Sequence, residues 1–230
     1  MADYRDYDFL ATSPFHWWIN LNYCVTVVRD VSSRDFLSNI GAQVLPEPAR
    51  GLEQVLAVDP PGIDPSDPLG QHKVGVADLK DGSVLVVEAD FLGVVAAIVG
   101  PVAAQHDLVS VYGAEGRYQI SVWTDGVLRV STNPREPDSD SSWSGSDPGM
   151  LESVWSSVSP DEPEGERLSG IQVSQSLFAA LETFTGVHLT EDDFLDTEFA
   201  VATVPRLIPA AGSDYMRRLR EARWDARELT

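Results

Sequence analysis

Two Asp-Gly dipeptides constrain this chain more than any other feature. Asp81-Gly82 separates Val74, Val76 and Leu79 from the run Val84 to Glu88, and Asp125-Gly126 separates Arg117 to Thr124 from Val127 to Thr132. Asp-Gly accepts positive φ at both positions, so between two apolar runs it closes a hairpin whose twist matches its strands. Such close connections make antiparallel neighbours. Asp107 to Gly113 and Arg117 to Thr124 form a further pair around Ala114-Glu115-Gly116. In the second of these, Tyr118, Ile120 and Val122 alternate with Gln119, Ser121 and Trp123, the period of a strand with two unlike faces. Upstream, Leu21 to Val28 is β-branched and aromatic and reads as a buried strand. The expectation is an α+β fold, with an antiparallel β-sheet built between Leu21 and Thr132 and the helices after Asp147 packed on one face.

The helices announce themselves by their ends. Ser32 with Asp35 is a short-chain capping box, Val31 and Phe36 take the staple positions, and Gly41 stops the helix. Asp147-Pro148 offers a cap and an N1 proline, followed by Leu151, Val154, Trp155 and Val158 on one helical face. Val173, Leu177, Ala180, Leu181 and Phe184 make another stripe, ended by Gly186, and Thr190 with Asp193 repeats the cap. Phe91 to Val99 is apolar all round, and its Ala96-Ala97 pair and length favour helix. Leu52 to Val58 reads as one short helix or strand, and Phe199 to Val204 as a last strand. Trp17 and Trp18 are neighbours, so in extended chain they point to opposite sides. One enters the core and the other needs a second partner.

Proline crowds Pro46 to Gly70, and Asn133 to Pro148 is rich in Ser and Asp. Both read as surface excursions, and Asp59 to Gly70 and Asn133 to Ser146 hold too little apolar residue to offset ordering. A second acidic loop runs from Pro160 to Arg167. From Ser213 to Leu229 the pattern is a helix. The segment after Pro205 carries Arg206, Arg217, Arg218, Arg220, Arg223 and Arg227 against four acids. The organisation expected is one α+β domain over 1–205, with a C-terminal, Arg-rich helical extension over 206–230 packed on it.

With 36 Asp+Glu against 16 Lys+Arg, the formal net charge is -20. A field of that sign repels phosphate, which argues against direct contact with nucleic acid or an anionic membrane. A single Cys excludes an internal disulfide and a Cys-based zinc site. The opening MADYRDYDFL has no apolar core for a signal peptide. The longest apolar stretch, Phe91 to Ala104, falls short of the roughly 20 residues of a span. A cytoplasmic location is the simplest expectation. Arg, Ala, Val and Asp usage suggests a GC-rich genome.

The stretches WWINLNYCVTVVRDVSSRDFLSNIGA, VLVVEADFLGV, LVSVYGAEGRYQISVWTDGVLRVSTNP, WSGSDPGML and FTGVHLTEDDF occur in that order. Together they resemble the ordered motifs of an uncharacterised actinobacterial domain family of unknown function. The resemblance spans Trp17 to Leu195. Two places depart from the pattern: Tyr112-Gly113-Ala114 stands for a Trp-Asn-Val-Asn run, and Ser131-Thr132-Asn133 for Phe-Glu-Pro. Every matched element is a strand, cap or turn, so the resemblance implies a domain and no activity.

Chemistry-bearing motifs are missing. Cys24 lies inside a strand, where a thiol packs rather than attacks. His16, His72, His106 and His188 have no ligand partner at metal spacing. Asp138 to Ser142 begins like a calcium loop, but Trp143 stands at its position six and Gly149 at its position twelve. The phosphate-cradling and nucleophile-elbow glycine patterns do not occur. Asp192-Asp193 and Glu162 to Glu166 read as solvated carboxylates. No cofactor and no catalytic residue is called.

Trp143 stands apart, because it sits in a Ser/Asp loop with no element face to occupy: either it folds back onto the core or it is presented as an anchor. Asp138, Asp140, Trp143 and Asp147 are therefore the candidate partner-binding set, a charged rim around an apolar anchor. The function expected is a non-catalytic acidic protein whose surface captures a basic protein partner, most concretely an immunity protein that neutralises a toxin. Its charge would steer association. The alternatives are a nucleic-acid mimic that blocks a DNA-binding enzyme, and an enzyme whose site the sequence does not reveal.

Overall fold

The hairpins form where the Asp-Gly pairs place them. In the computed structural model, Asp125 (φ 52) and Gly126 (φ 76) both take positive φ and join β7 (Arg117–Thr124) to β8 (Val127–Thr132). Gly82 (φ 85) turns β4 (His72–Asp78) into β5 (Val84–Glu88), with the Leu79 N–H donating to the Ser83 carbonyl at 2.8 Å. The structure describes residues 2–59, 71–89, 93, 96–114, 116–134, 145–147, 149–160 and 167–204. The Asp59 to Gly70 excursion beyond its first residue, Glu162 to Glu166 and the Arg-rich extension lie outside these residues.

The remaining strands are β1 (Asn22–Val28), β2 (Gln43–Val44), β3 (Ala49–Arg50), β6 (Leu108–Ala114) and β9 (Glu198–Val204). They form one nine-stranded sheet in the order β2-β9-β4-β5-β1-β6-β7-β8, with β3 also paired to β9. Every pairing is antiparallel, as expected. The fold is α+β.

Around the sheet lie a 3-10 helix (Tyr4–Ala11) and α1 (Phe15–Leu21), α2 (Ser33–Asn39), α3 (Gly51–Ala57), α4 (Ala96–Ala103), α5 (Met150–Val158), α6 (Gly170–Thr185) and α7 (Glu191–Leu195). Val25, Val27, Leu85, Val109, Ile120 and Val201 point from the sheet into the larger core, with α5, α6 and α7 after Asp147 on this side as expected. Val28, Val74, Val76, Val86 and Leu108 point the other way, where α2 and α4 cover them. Because strand side chains alternate, each strand feeds both cores. The second layer is made by the two short helices inserted between strands.

α6 is buried on all sides from Val173 to Leu181, not on a stripe alone. Its second face is taken by the 3-10 helix, which the sequence reading left unassigned. The polar residues this buries find partners both within the helix and on the 3-10 helix. Ser174 Oγ and Ser176 Oγ donate to carbonyls four residues back, and the Gln175 amide donates to Asp8 Oδ1 at 2.9 Å. Ser169 and Gln172 form a capping box at its start, and Gly186 closes it in the left-handed region.

Local corrections follow from tertiary contacts. Of the apolar run at 91–99, the described residues from Ala96 on are α-helical, and the helix continues past Pro101 to Ala103. Asp147 is not the cap of α5: Gly149 takes the N-cap position, and Asp147 is tied to the β8 edge, its N–H donating to the Arg129 carbonyl at 2.7 Å. Trp17 and Trp18 do part, but on a helix rather than in extended chain.

Candidate interaction surface

Asp138, Asp140 and Trp143 lie outside the described residues. Asp147 is described: its side chain is exposed and its backbone is tied to β8.

The interior holds polar groups the sequence did not single out. On the smaller-core face, Thr26 and Ser110 share a hydrogen bond at 2.8 Å across β1 and β6, and Ser121 and Ser131 share another at 2.8 Å across β7 and β8. Next to Thr26 lie Cys24 and Glu88, the latter only 2% exposed. Glu88 Oε1 accepts the Gly93 N–H at 2.9 Å. Burial, then the Glu88 carboxylate, pushes the Cys24 thiol well above its ordinary range. A neutral, fully buried thiol is no nucleophile, as the strand reading expected.

Other titratable clusters serve structure. Glu182 accepts the Tyr7 hydroxyl at 2.8 Å and pairs with His188 Nδ1 at 2.8 Å, pinning the 3-10 helix to α6. Burial first, then Glu182, raises the Tyr7 phenol far above its usual value. At the turn end of the sheet, Asp30, Asp35 and Asp78 line an open groove of about 720 Å³ with His106. Two of these carboxylates are committed: Asp78 accepts both the Ser33 N–H and its hydroxyl at 2.7 Å, and Asp35 accepts the Ser32 hydroxyl at 2.7 Å. Among the described residues no three His, Cys, Asp or Glu side chains are placed to hold a metal. No helix among them is long and apolar enough to cross a membrane.

The outer face of α1 is different, because beside His16 and Asn20 it presents two large exposed apolar side chains. Phe15, Trp18 and Ile19 recur at i, i+3 and i+4, one face of a helix, and all three are buried. Phe15 meets Phe9 and Phe194 edge-on at 5.1 and 5.8 Å, and Trp18 meets Tyr23 at 5.6 Å. That lock fixes the rotation of the helix. Trp18 is 1% exposed, whereas Trp17 is 43% exposed and Leu21, one turn on, 62%. Neither can turn inward without withdrawing Phe15 and Trp18 from the core. The preceding 3-10 helix carries exposed Asp6 and Asp8. The one base in it, Arg5, is paired to Asp3 at 3.1 Å. The signal was present in the sequence: Phe15, Trp18 and Ile19 at helical spacing would have assigned Trp17 to the outside.

Comparison with known proteins yields one finding. A family model described as a family of unknown function, DUF6461, matches residues 1–209, beyond both ends of the resembling stretch. No curated protein and no solved structure matches the chain.

Proposed function

We propose, from the premise that the chain belongs to this family of unknown function, that it is a non-catalytic acidic protein that binds a basic protein partner. The most concrete form of the reading is an immunity protein that neutralises a toxin. The observation that carries it is Trp17, a half-exposed tryptophan on a helix whose opposite face is locked into the core. Rigid aromatics with few rotatable bonds bind at low entropic cost and are enriched among interface hot spots. Asp6 and Asp8 are exposed on the preceding 3-10 helix, and the net charge of -20 favours a basic target. Asp138, Asp140, Trp143 and Asp147 stay in the reading on sequence grounds, as a second rim and anchor.

The test is direct. A photo-crosslinking residue at position 17 is introduced in the native cell, and the captured partner is purified and its kinetics measured at two salt concentrations. A basic partner is expected. Its on-rate should fall with salt, since exposed charges are screened beyond about 8 Å at physiological ionic strength. Trp17→Ala should mainly raise the off-rate. A partner indifferent to salt and to Trp17, or turnover of a small molecule by the purified protein, would end this reading.

A further inference from the structure

A separate feature lies at the opposite margin of the sheet. β2 and β3 both pair with β9, and between them Leu45 still donates its N–H to the Val201 carbonyl at 2.8 Å, so that the bow outside the ladder is Pro46 to Pro48. α3 packs Leu52 and Val55 into the core beside it. Between the bow and the C-terminal half of α3 is an open groove of about 600 Å³. Its apolar walls come from Leu45, Pro46, Pro48, Ala49 and Val58. Glu47 and Asp59 stand on its rim, and no Arg or Lys is among the described lining residues. The nearby Lys73 ammonium is committed to the carbonyls of Leu56 and Val58, the last turn of α3. Arg50 is paired with Asp196 at 3.1 Å.

We infer that this groove is a binding site for a small organic amine with an apolar body. The volume lies within the range of small-molecule sites, which are apolar with a few polar groups that fix orientation. The apolar walls would cover the hydrocarbon, and the two carboxylates select a cationic head over a neutral or anionic one. A peptide strand added to this edge is disfavoured, because Pro46 and Pro48 have no N–H to donate to it. The site is independent of the α1 surface and of the protein-binding reading.

Three ligands with one ring and different heads test it: cyclohexylmethylamine, cyclohexylmethanol and cyclohexanecarboxylate. Each is titrated into the full-length, isotope-labelled protein while amide shifts are followed. The amine should shift amides between residues 45 and 59 and bind about five-fold tighter than the alcohol, the scale of an exposed ion pair. The carboxylate should not bind. Glu47→Gln with Asp59→Asn should erase the preference for the amine and leave the alcohol unchanged. Ala57→Trp, which fills the groove from an exposed lining position, should abolish both. Equal binding of all three heads, shifts centred elsewhere, or no saturable shift for the amine would overturn the inference. So would a Leu-Lys-Leu tripeptide amide binding more tightly than the amine through the same residues, which would make the groove a peptide site.

Discussion

Gly93 lies against the Thr26 hydroxyl so closely that a Cβ on it would overlap Thr26 Oγ1 and stand 2.9 Å from Cys24 Sγ. The glycine is what lets the chain after β5 settle onto the hydroxyls of β1 and β6 while its N–H reaches Glu88. Gly93→Ala should therefore lose about 1–3 kcal/mol, the range of an overpacked core. Thr26→Ala in the same chain should recover part of that loss by opening the space. Urea unfolding of the single and double variants measures both, and an unchanged midpoint for Gly93→Ala would refute the contact.

Adjacent tryptophans should behave as opposites. Trp18→Ala empties a packed site among Tyr23 and Phe194 and should cost about 3–5 kcal/mol. Trp17→Ala touches none of that and should stay within about 0.5 kcal/mol of the parent, while weakening partner binding. Thermal melts separate the two, and a large stability loss for Trp17→Ala would make it a packing residue and remove it as an anchor.

Alkali should unfold the protein early. Cys24, Tyr7 and Tyr23 are all raised above ordinary values of 9.0, 10.0 and 10.0, each chiefly by burial. The folded chain keeps them neutral, and the unfolded chain ionises them. Their contribution is fully present below pH 9 and is lost as pH climbs through the unfolded values, at up to about 1.4 kcal/mol per pH unit for each group. Denaturant midpoints should be flat from pH 7 to 8.5 and fall steeply by pH 10.5. In Cys24→Ala the fall should begin about one pH unit later; an onset at the same pH would show that the thiol is not its first component.

Gly145 guards an edge. With φ 119 it lies tight against the Arg129 backbone, and the following N–H groups of Ser146 and Asp147 donate to the Leu128 and Arg129 carbonyls. This segment occupies the outer side of β8, which would otherwise offer unpaired groups to another chain. Gly145→Ala should cost about 1–3 kcal/mol from backbone strain and promote concentration-dependent association. Light scattering and ultracentrifugation read the second effect. A variant as stable and as monodisperse as its parent would show that the segment is dispensable.

What the chain disclosed early was what depends on near neighbours. Asp125-Gly126 and Thr190 with Asp193 act within a few residues, so their turn and cap were readable before any contact was known. What stayed hidden depends on distance. Asp147 carries every local mark of a cap, yet α5 starts from Gly149 and Asp147 is tied to β8 through the distant Arg129 carbonyl. Residues 4–11 have a local start in the Asp3–Asp6 capping box, but their place against α6 depends on Tyr7 reaching Glu182 across 175 positions. Glu88 looked like the end of a strand, and nothing local said that its carboxylate would be enclosed. Trp17 was recognised as needing something to touch, but its exposure follows from the helical turn that buries Trp18.

The position of β9 sets an order of assembly. It is the last strand of the described chain, yet it lies between β4 on one side and β2 and β3 on the other. A ribosome delivers β4 early, and its second neighbour only about 120 residues later, so this margin of the sheet stays open through most of synthesis. Until then β4 presents bare backbone on that side, and β2 and β3, which carry the amine groove's walls, have no strand to pair with. The groove can exist only in a finished molecule, and a nascent chain that stalls before Glu198 is the form most exposed to mispairing and to chaperones.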